Sequence, residues 1–193
     1  MPIKFTRGSG TPNRWAEIQN NLGNAFRLRG ERDSSSAGHQ SLREAIKTLY
    51  EVLEIRTRTA DPVSWAFTQA DLAQALTALG VREGDVKRLE TADQAYNRAF
   101  QVINRKDFPF DWARMKFLRA GTLLAIGGKK ADYKLTCQAL HHSREAWLLL
   151  SELEATSHQT SLARQRVAVS MQVIEQKFSK RAVEICLGRK PRD

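Results

Sequence analysis

Apolar residues recur along most of the chain at three- and four-residue spacing, the period of a helix that turns one face to a core. In the stretch TPNRWAEIQNNLGNAFRLRG they fall at Trp15, Ile18, Leu22, Ala25 and Phe26, and in DPVSWAFTQADLAQALTALG at Trp65, Leu72, Ala75, Leu76 and Leu79. A second helix is predicted after each of these. Leu42, Ala45, Ile46, Leu49, Val52 and Leu53 are matched 47 residues later by Leu89, Ala92, Asp93, Tyr96, Ala99 and Phe100, and more loosely again by Ala139, Ala146 and Trp147. Polar, Gly/Ser-containing stretches such as Glu31–Gly38 read as inter-helix loops. No alternating apolar–polar run of useful length occurs, so strands are not expected. A long C-terminal helical region is predicted from about His158 to Leu187, with Leu162, Val167, Val169, Val173, Ile174 and Phe178 as its apolar stripe.

The pattern repeats. Thr11–Gly30, Asp61–Gly80 and Phe108–Gly127 each hold a proline, Trp-Ala three residues on, and a glycine eighteen residues after the proline. The prolines, Pro12, Pro62 and Pro109, are spaced by 50 and 47, and Trp15, Trp65 and Trp112 share one slot. A proline in the first helical turn costs nothing, because the donor it lacks has no partner there. Gly30, Gly80 and Gly127 are expected as left-handed C-terminal caps. Gly23, Ala73 and Ala120 share a position whose small side chain lets a neighbouring helix come close. Each unit is thus a helical hairpin. The resulting organisation is an N-terminal extension over 1–10, repeats over 11–60, 61–107 and 108–155, and a capping helix with a basic tail over 156–193. Phe5-Thr6-Arg7 resembles the Arg/Thr-rich tail before Pro62, so residues 1–10 read as the vestige of a preceding repeat, and the chain as a piece or short relative of a longer array.

Gln19, Leu22, Gly23 and Phe26, then Ala45, Leu49 and Pro62, resemble the tetratricopeptide signature of large–Leu–Gly–aromatic, Ala–x3–aromatic and Pro. Leu72, Ala73, Leu76, Ala92, Tyr96 and Pro109 repeat it. The third copy is degenerate, with Arg119 for the leucine and Ser143 for the aromatic residue. The likeness covers roughly residues 11–150 and is similar to a long-period bacterial subclass. It departs from the family in a period of 47–50 rather than about 34, ascribed to longer inter-helix loops, and in a tryptophan four residues early. The resemblance implies an all-α, right-handed α-solenoid of three hairpins closed by a C-terminal helix, with the first helix of each hairpin lining a concave groove. Carried onto this chain, the partner-binding positions are Glu17, Asn20, Asn24 and Arg27 in the first repeat, and Phe67, Ala70, Gln74 and Thr77 in the second. An amide there pairs with an extended peptide backbone, and Arg27 suits a carboxylate or phosphate. The third repeat offers the more apolar Arg114, Phe117, Gly121 and Leu124, to be covered by the C-terminal helix or by a homodimer contact.

Composition changes this picture little. The chain has 193 residues, 41% of them apolar and 27% charged, which suits an ordinary globular core. The net charge of +10 is spread evenly, apart from the tail Arg189, Lys190 and Arg192, and a basic surface gains affinity for polyanions by releasing counterions. A nucleic-acid reading through Arg82, Lys87, Arg88, Arg105 and Lys106 is therefore the alternative to a peptide groove. Cys137 and Cys186 lack CxxC spacing and are expected as small buried hydrophobes in a reducing compartment rather than as a disulfide. With no membrane span and no apolar leader stretch at its start, the chain is expected in the cytoplasm.

Catalytic chemistry has no foothold in the pattern. His141-His142 are adjacent and diverge by about 100° on a helix, so they do not converge on a metal; His39 and His158 stand alone near helix ends. Gly127-Gly128-Lys129-Lys130 lacks the remaining glycine and the hydroxyl of a P-loop, and Glu44, Glu51 and Glu54 are spaced as a solvated helical face. No catalytic residue, metal or cofactor is expected. The expected function is a protein-interaction scaffold.

Overall fold

The computed structural model describes residues 11–153, 163–165, 167–169, 172 and 186. These residues are helical with short connections, and no strand occurs among them. In order the helices are α1 (Pro12–Arg32), α2 (Ser36–Ile55), α3 (Pro62–Glu83), α4 (Val86–Ala99), α5 (Pro109–Lys130) and α6 (Tyr133–Leu153). The three repeated prolines each open a first helix, as predicted. Thr11, Asp61, Ser35 and Asp85 supply side-chain caps to α1, α3, α2 and α4, each taking up an N–H that the helix itself leaves unpaired.

The chain divides into two compact units, Met1–Val102 and Ile103–Asp193. In the first, α1 packs on α2 and α3 on α4, and the hairpins meet through α2 against α3 and α1 against α3. Its core is the repeated apolar set: Leu42, Ala45, Leu49, Val52, Leu89, Ala92, Tyr96 and Ala99 are all fully buried. Each such leucine contributes about 1.5–3 kcal/mol by leaving water. In the second unit α5 packs on α6. Val167, from the C-terminal region, is buried against Ala113, Ala146, Leu149 and Leu150, with Phe117 and Trp147 packed around it. Of the other predicted stripe residues there, Val169 is exposed, while Leu162, Val173, Ile174 and Phe178 lie outside the described residues, as do His158, the basic tail and residues 1–10.

Four expectations are corrected. The first concerns the closing glycines, which do not end their helices: α1, α3 and α5 run on to Arg32, Glu83 and Lys130. Gly30, Gly80 and Gly127 are instead buried where the hairpin's second helix crosses. A Cβ on Gly30 would lie 2.7 Å from Leu42 Cγ and 2.9 Å from Gly38 O, and one on Gly80 3.0 Å from Leu89 Cγ. The left-handed caps are Gly84 (φ 65°) and Ala131 (φ 52°). Gly23, predicted as a close-approach point, is one: its Cβ would sit 3.0 Å from Leu49 Cγ.

Second, the long period comes from long helices. Only Asp33–Ser35 separate α1 from α2 and only Gly84-Asp85 separate α3 from α4, whereas the first helices run 21 and 22 residues. The Ser34–Ser36 run, expected as part of a polar loop, supplies a cap: the Ser35 hydroxyl accepts from the Ala37 N–H, and hydrogen bonds from Ser35 to Asp33 hold the Asp33 carboxyl below its usual range.

Third, the apolar stripe of α1 does not face a core. Ile18 and Leu22 are 55% and 41% exposed, and the buried positions of α1 are Ala16, Asn20, Gly23 and Gly30. Periodicity identifies a face but not whether anything lies against it.

Fourth, Cys137 and Cys186 form a disulfide, with Cα atoms 4.9 Å apart across a sequence separation of 49. The cysteine spacing carried no sign of this, because only the fold brings residues so distant in sequence within bonding reach. The inference of a reducing compartment, drawn from unpaired thiols, loses its basis.

The polar face between the first helices of the first unit

Of the groove positions predicted for the first two repeats, the structure joins Asn20, Asn24, Arg27 and Gln74 into one network between α1 and α3. Its centre is Asp71, the one charged residue between Pro62 and Val81. Asp71 Oδ2 accepts from the side-chain amides of both Asn20 and Asn24 at 2.8 Å. Gln74 Nε2 stands 3.5 Å from Asp71 Oδ1 and 3.3 Å from Ala70 O. The Asn20 carbonyl oxygen accepts in turn from the Thr68 hydroxyl at 2.8 Å and from Arg56 Nη1 at 3.2 Å. Arg27 donates to Asn24 Oδ1 at 3.3 Å and pairs with Glu31 at 2.7 Å. Burial explains why the network is so complete: Asn20 is only 8% exposed and Thr68 fully buried, and a buried polar group without a partner costs about 1–3 kcal/mol.

Of the predicted partner-binding residues, then, Asn20, Asn24, Arg27 and Gln74 are drawn together, with their polar atoms turned largely to one another. Thr77 bonds the carbonyl of Ala73 at 2.8 Å, Phe67 is half-buried, and Ala70 is buried. Glu17 is exposed and lines an open cleft of about 570 Å³ together with Thr11, Asn13, Arg14, Arg56, Asp61 and Ser64. This cleft opens where the N-terminal ends of α1 and α3 meet the last turn of α2. It holds two guanidinium groups, two carboxylates, two hydroxyls and an amide. Such a lining matches the alternating donors and acceptors of a polar chain better than an apolar ligand or a pure anion.

Sequence reasoning missed Asp71, Arg56 and Arg14. Asp71 carried a signal, as the one charged residue between Pro62 and Val81. Arg56 carried none, because it caps the end of α2 and reaches α3 only through the fold.

The basic residues of the alternative reading are partly committed elsewhere. Arg82 donates to the carbonyls of Asp33 and Glu31 at 2.7 and 3.0 Å, Arg88 pairs with Glu83 and Asp85, and Arg105 with Glu152. Lys87 and Lys106 are exposed. Two repeated tryptophans sit beside cations, Trp65 under Arg58 at 6.0 Å and Trp112 under Lys116 at 4.9 Å. In the third repeat Phe117 and Leu124 are half-buried and packed into the second unit's clusters, whereas Gly121 is exposed.

The histidines are placed singly. His39 Nδ1 lies 3.0 Å from Ser35 O. His142 is pushed down to about 4 by burial, reinforced by Lys116 and Arg119. His141 stands 3.6 Å from Glu145. No helix among the described residues is long and apolar enough to cross a membrane. No protein-family model matches the chain, and neither the curated proteins nor the solved structures contain a match.

Proposed function

We propose that the protein is a non-catalytic interaction scaffold of the tetratricopeptide-like kind, which takes a polar, extended segment of a partner protein on the α1–α3 face of its first unit. The observation that carries this is the open cleft of about 570 Å³ with its mixed lining. The Asp71 network supports it, because Arg56, which lines the cleft, is held by Asn20 and Thr68 of that network, while Arg14 and Glu17 are exposed. Binding sites are most effective when their shape is set before the ligand arrives. The groove reading makes Arg14, Glu17 and the outer atoms of Arg27, Gln74 and Thr77 the contact points. Asn20 and Asn24 act as its frame. In the same reading the three hairpins form a right-handed α-solenoid, supported by the sequence period of 47–50 and by the stacking of α1–α2 on α3–α4.

The test is capture from a lysate of the source organism, with nuclease and high salt, using the natural chain beside an Arg14→Glu/Glu17→Arg variant. A discrete protein held by the natural chain and lost by the variant supports the cleft. Recovery of nucleic acid that disappears with salt, equal for both chains, overturns the peptide reading in favour of the basic surface.

A further inference from the structure

The first and second repeats share one architecture, so each position of α1 has a counterpart in α3 fifty residues later. On α3 the face built from Thr68, Leu72 and Ala75 is closed, with exposures of 0%, 1% and 0%. What closes it is the preceding hairpin, since α2 and α1 both pack on α3. The same face of α1 is Ile18, Leu22 and Ala25, and it is open, with Ile18 at 55%, Leu22 at 41% and the neighbouring Leu28 at 43%.

The fastening is repeated along with the face. Arg82, near the end of α3, reaches back to the main-chain carbonyls of Glu31 and Asp33, in the turn of the hairpin that covers it. Its counterpart near the end of α1 is Arg32, which is exposed. Arg29, also exposed, lies beside the apolar patch and extends this basic edge. We infer that the outward face of α1 is a docking surface for a helical hairpin of this same repeat type carried by a partner protein.

In that complex the partner's second helix lies across Ile18, Leu22 and Ala25, its inter-helix turn offers carbonyls to Arg32, and its flank is acidic to match Arg29. The docked interface continues, one period earlier, the interface already present between α2 and α3. This inference is separate from the cleft, which opens between α1 and α3 rather than on the outward side of α1.

The experiment supplies the hairpin. Residues 11–60 are duplicated in tandem within the full chain, so that a copy of α1–α2 precedes the original α1. A Leu22→Cys substitution in that original α1 reports on the face by its rate of thiol labelling, read from the modified peptide by mass spectrometry. Labelling is expected to slow at least about tenfold relative to Leu22→Cys in the natural-length chain, as for a site that reacts only through local opening. Arg32→Ala in the same helix should restore part of the rate. Equal rates in the two chains would overturn the inference. Sedimentation of the natural chain over a wide concentration range is the second arm. A monomer is expected; self-association abolished by Ile18→Glu would overturn the assignment to a different protein by making the occupant a second copy.

Discussion

Asp71 Oδ2 accepts the side-chain amide of Asn20 across 51 residues of sequence at 2.8 Å, and this bond joins the first hairpin to the second through their polar face rather than their apolar one. Apolar contacts between helices tolerate sliding, whereas a buried amide–carboxylate bond holds at one distance and one angle. The bond therefore restrains sliding of α1 along α3.

Replacing Asp71 by Leu should destabilise the first unit by about 2–3 kcal/mol, because two amides lose their acceptor and Asn20 stays buried. Asn24→Ala should cost less, about 1 kcal/mol, since Asn24 is only part-buried. Urea denaturation followed by circular dichroism measures both. Equal midpoints for Asp71→Leu and the natural chain would remove Asp71 from its central place.

The glycines separate packing from helix propensity. Alanine at Gly30 would press on Leu42 and on the backbone oxygen of Gly38, so Gly30→Ala should lower stability by about 1–3 kcal/mol despite alanine's better propensity. At Gly121 a Cβ meets nothing within 4 Å, and Gly121→Ala should gain up to about 1 kcal/mol. Opposite signs for two identical substitutions, compared by thermal melting, are the expected result.

His142 makes the second unit sensitive to acid. Its folded value of about 4 lies below the ordinary histidine value of 6.5, so the unfolded chain binds the extra proton first. The stability it protects is complete above 6.5 and is lost as pH falls toward 4. Lys116, Arg119 and His141 oppose the charged form and Glu145 favours it, so the group titrates within a mostly cationic surround. Chemical denaturation across that range should show a smaller loss of stability in His142→Gln than in the natural chain.

The Cys137–Cys186 bridge should leave no reactive thiol in the unfolded, unreduced protein, by thiol titration in denaturant. Reduction should then lower the stability of the second unit by about 2–4 kcal/mol through the freedom returned to the unfolded chain. Two titratable thiols before any reductant is added would contradict the bridge.

The pattern of residues determined the helices. Prolines spaced by 50 and 47 opened α1, α3 and α5, and the recurring set from Leu42 to Ala99 supplied the buried sides of α2 and α4, because propensity and periodicity act within a few residues. Tertiary structure decided the rest. Gly30 and Gly80 serve as crossing points because Leu42 and Leu89 occupy the space a Cβ would need, about 3 Å from where it would sit, and nothing local says that a helix will cross there. Asn20 and Asn24, which read as ligand contacts, turn to Asp71 because an amide shielded from water takes the nearest strong acceptor. Ile18 and Leu22 share the period of core residues yet face outward, because burial depends on what lies opposite a face. Cys137 and Cys186 pair for the same kind of reason, since closeness in space belongs to the fold and not to spacing along the chain.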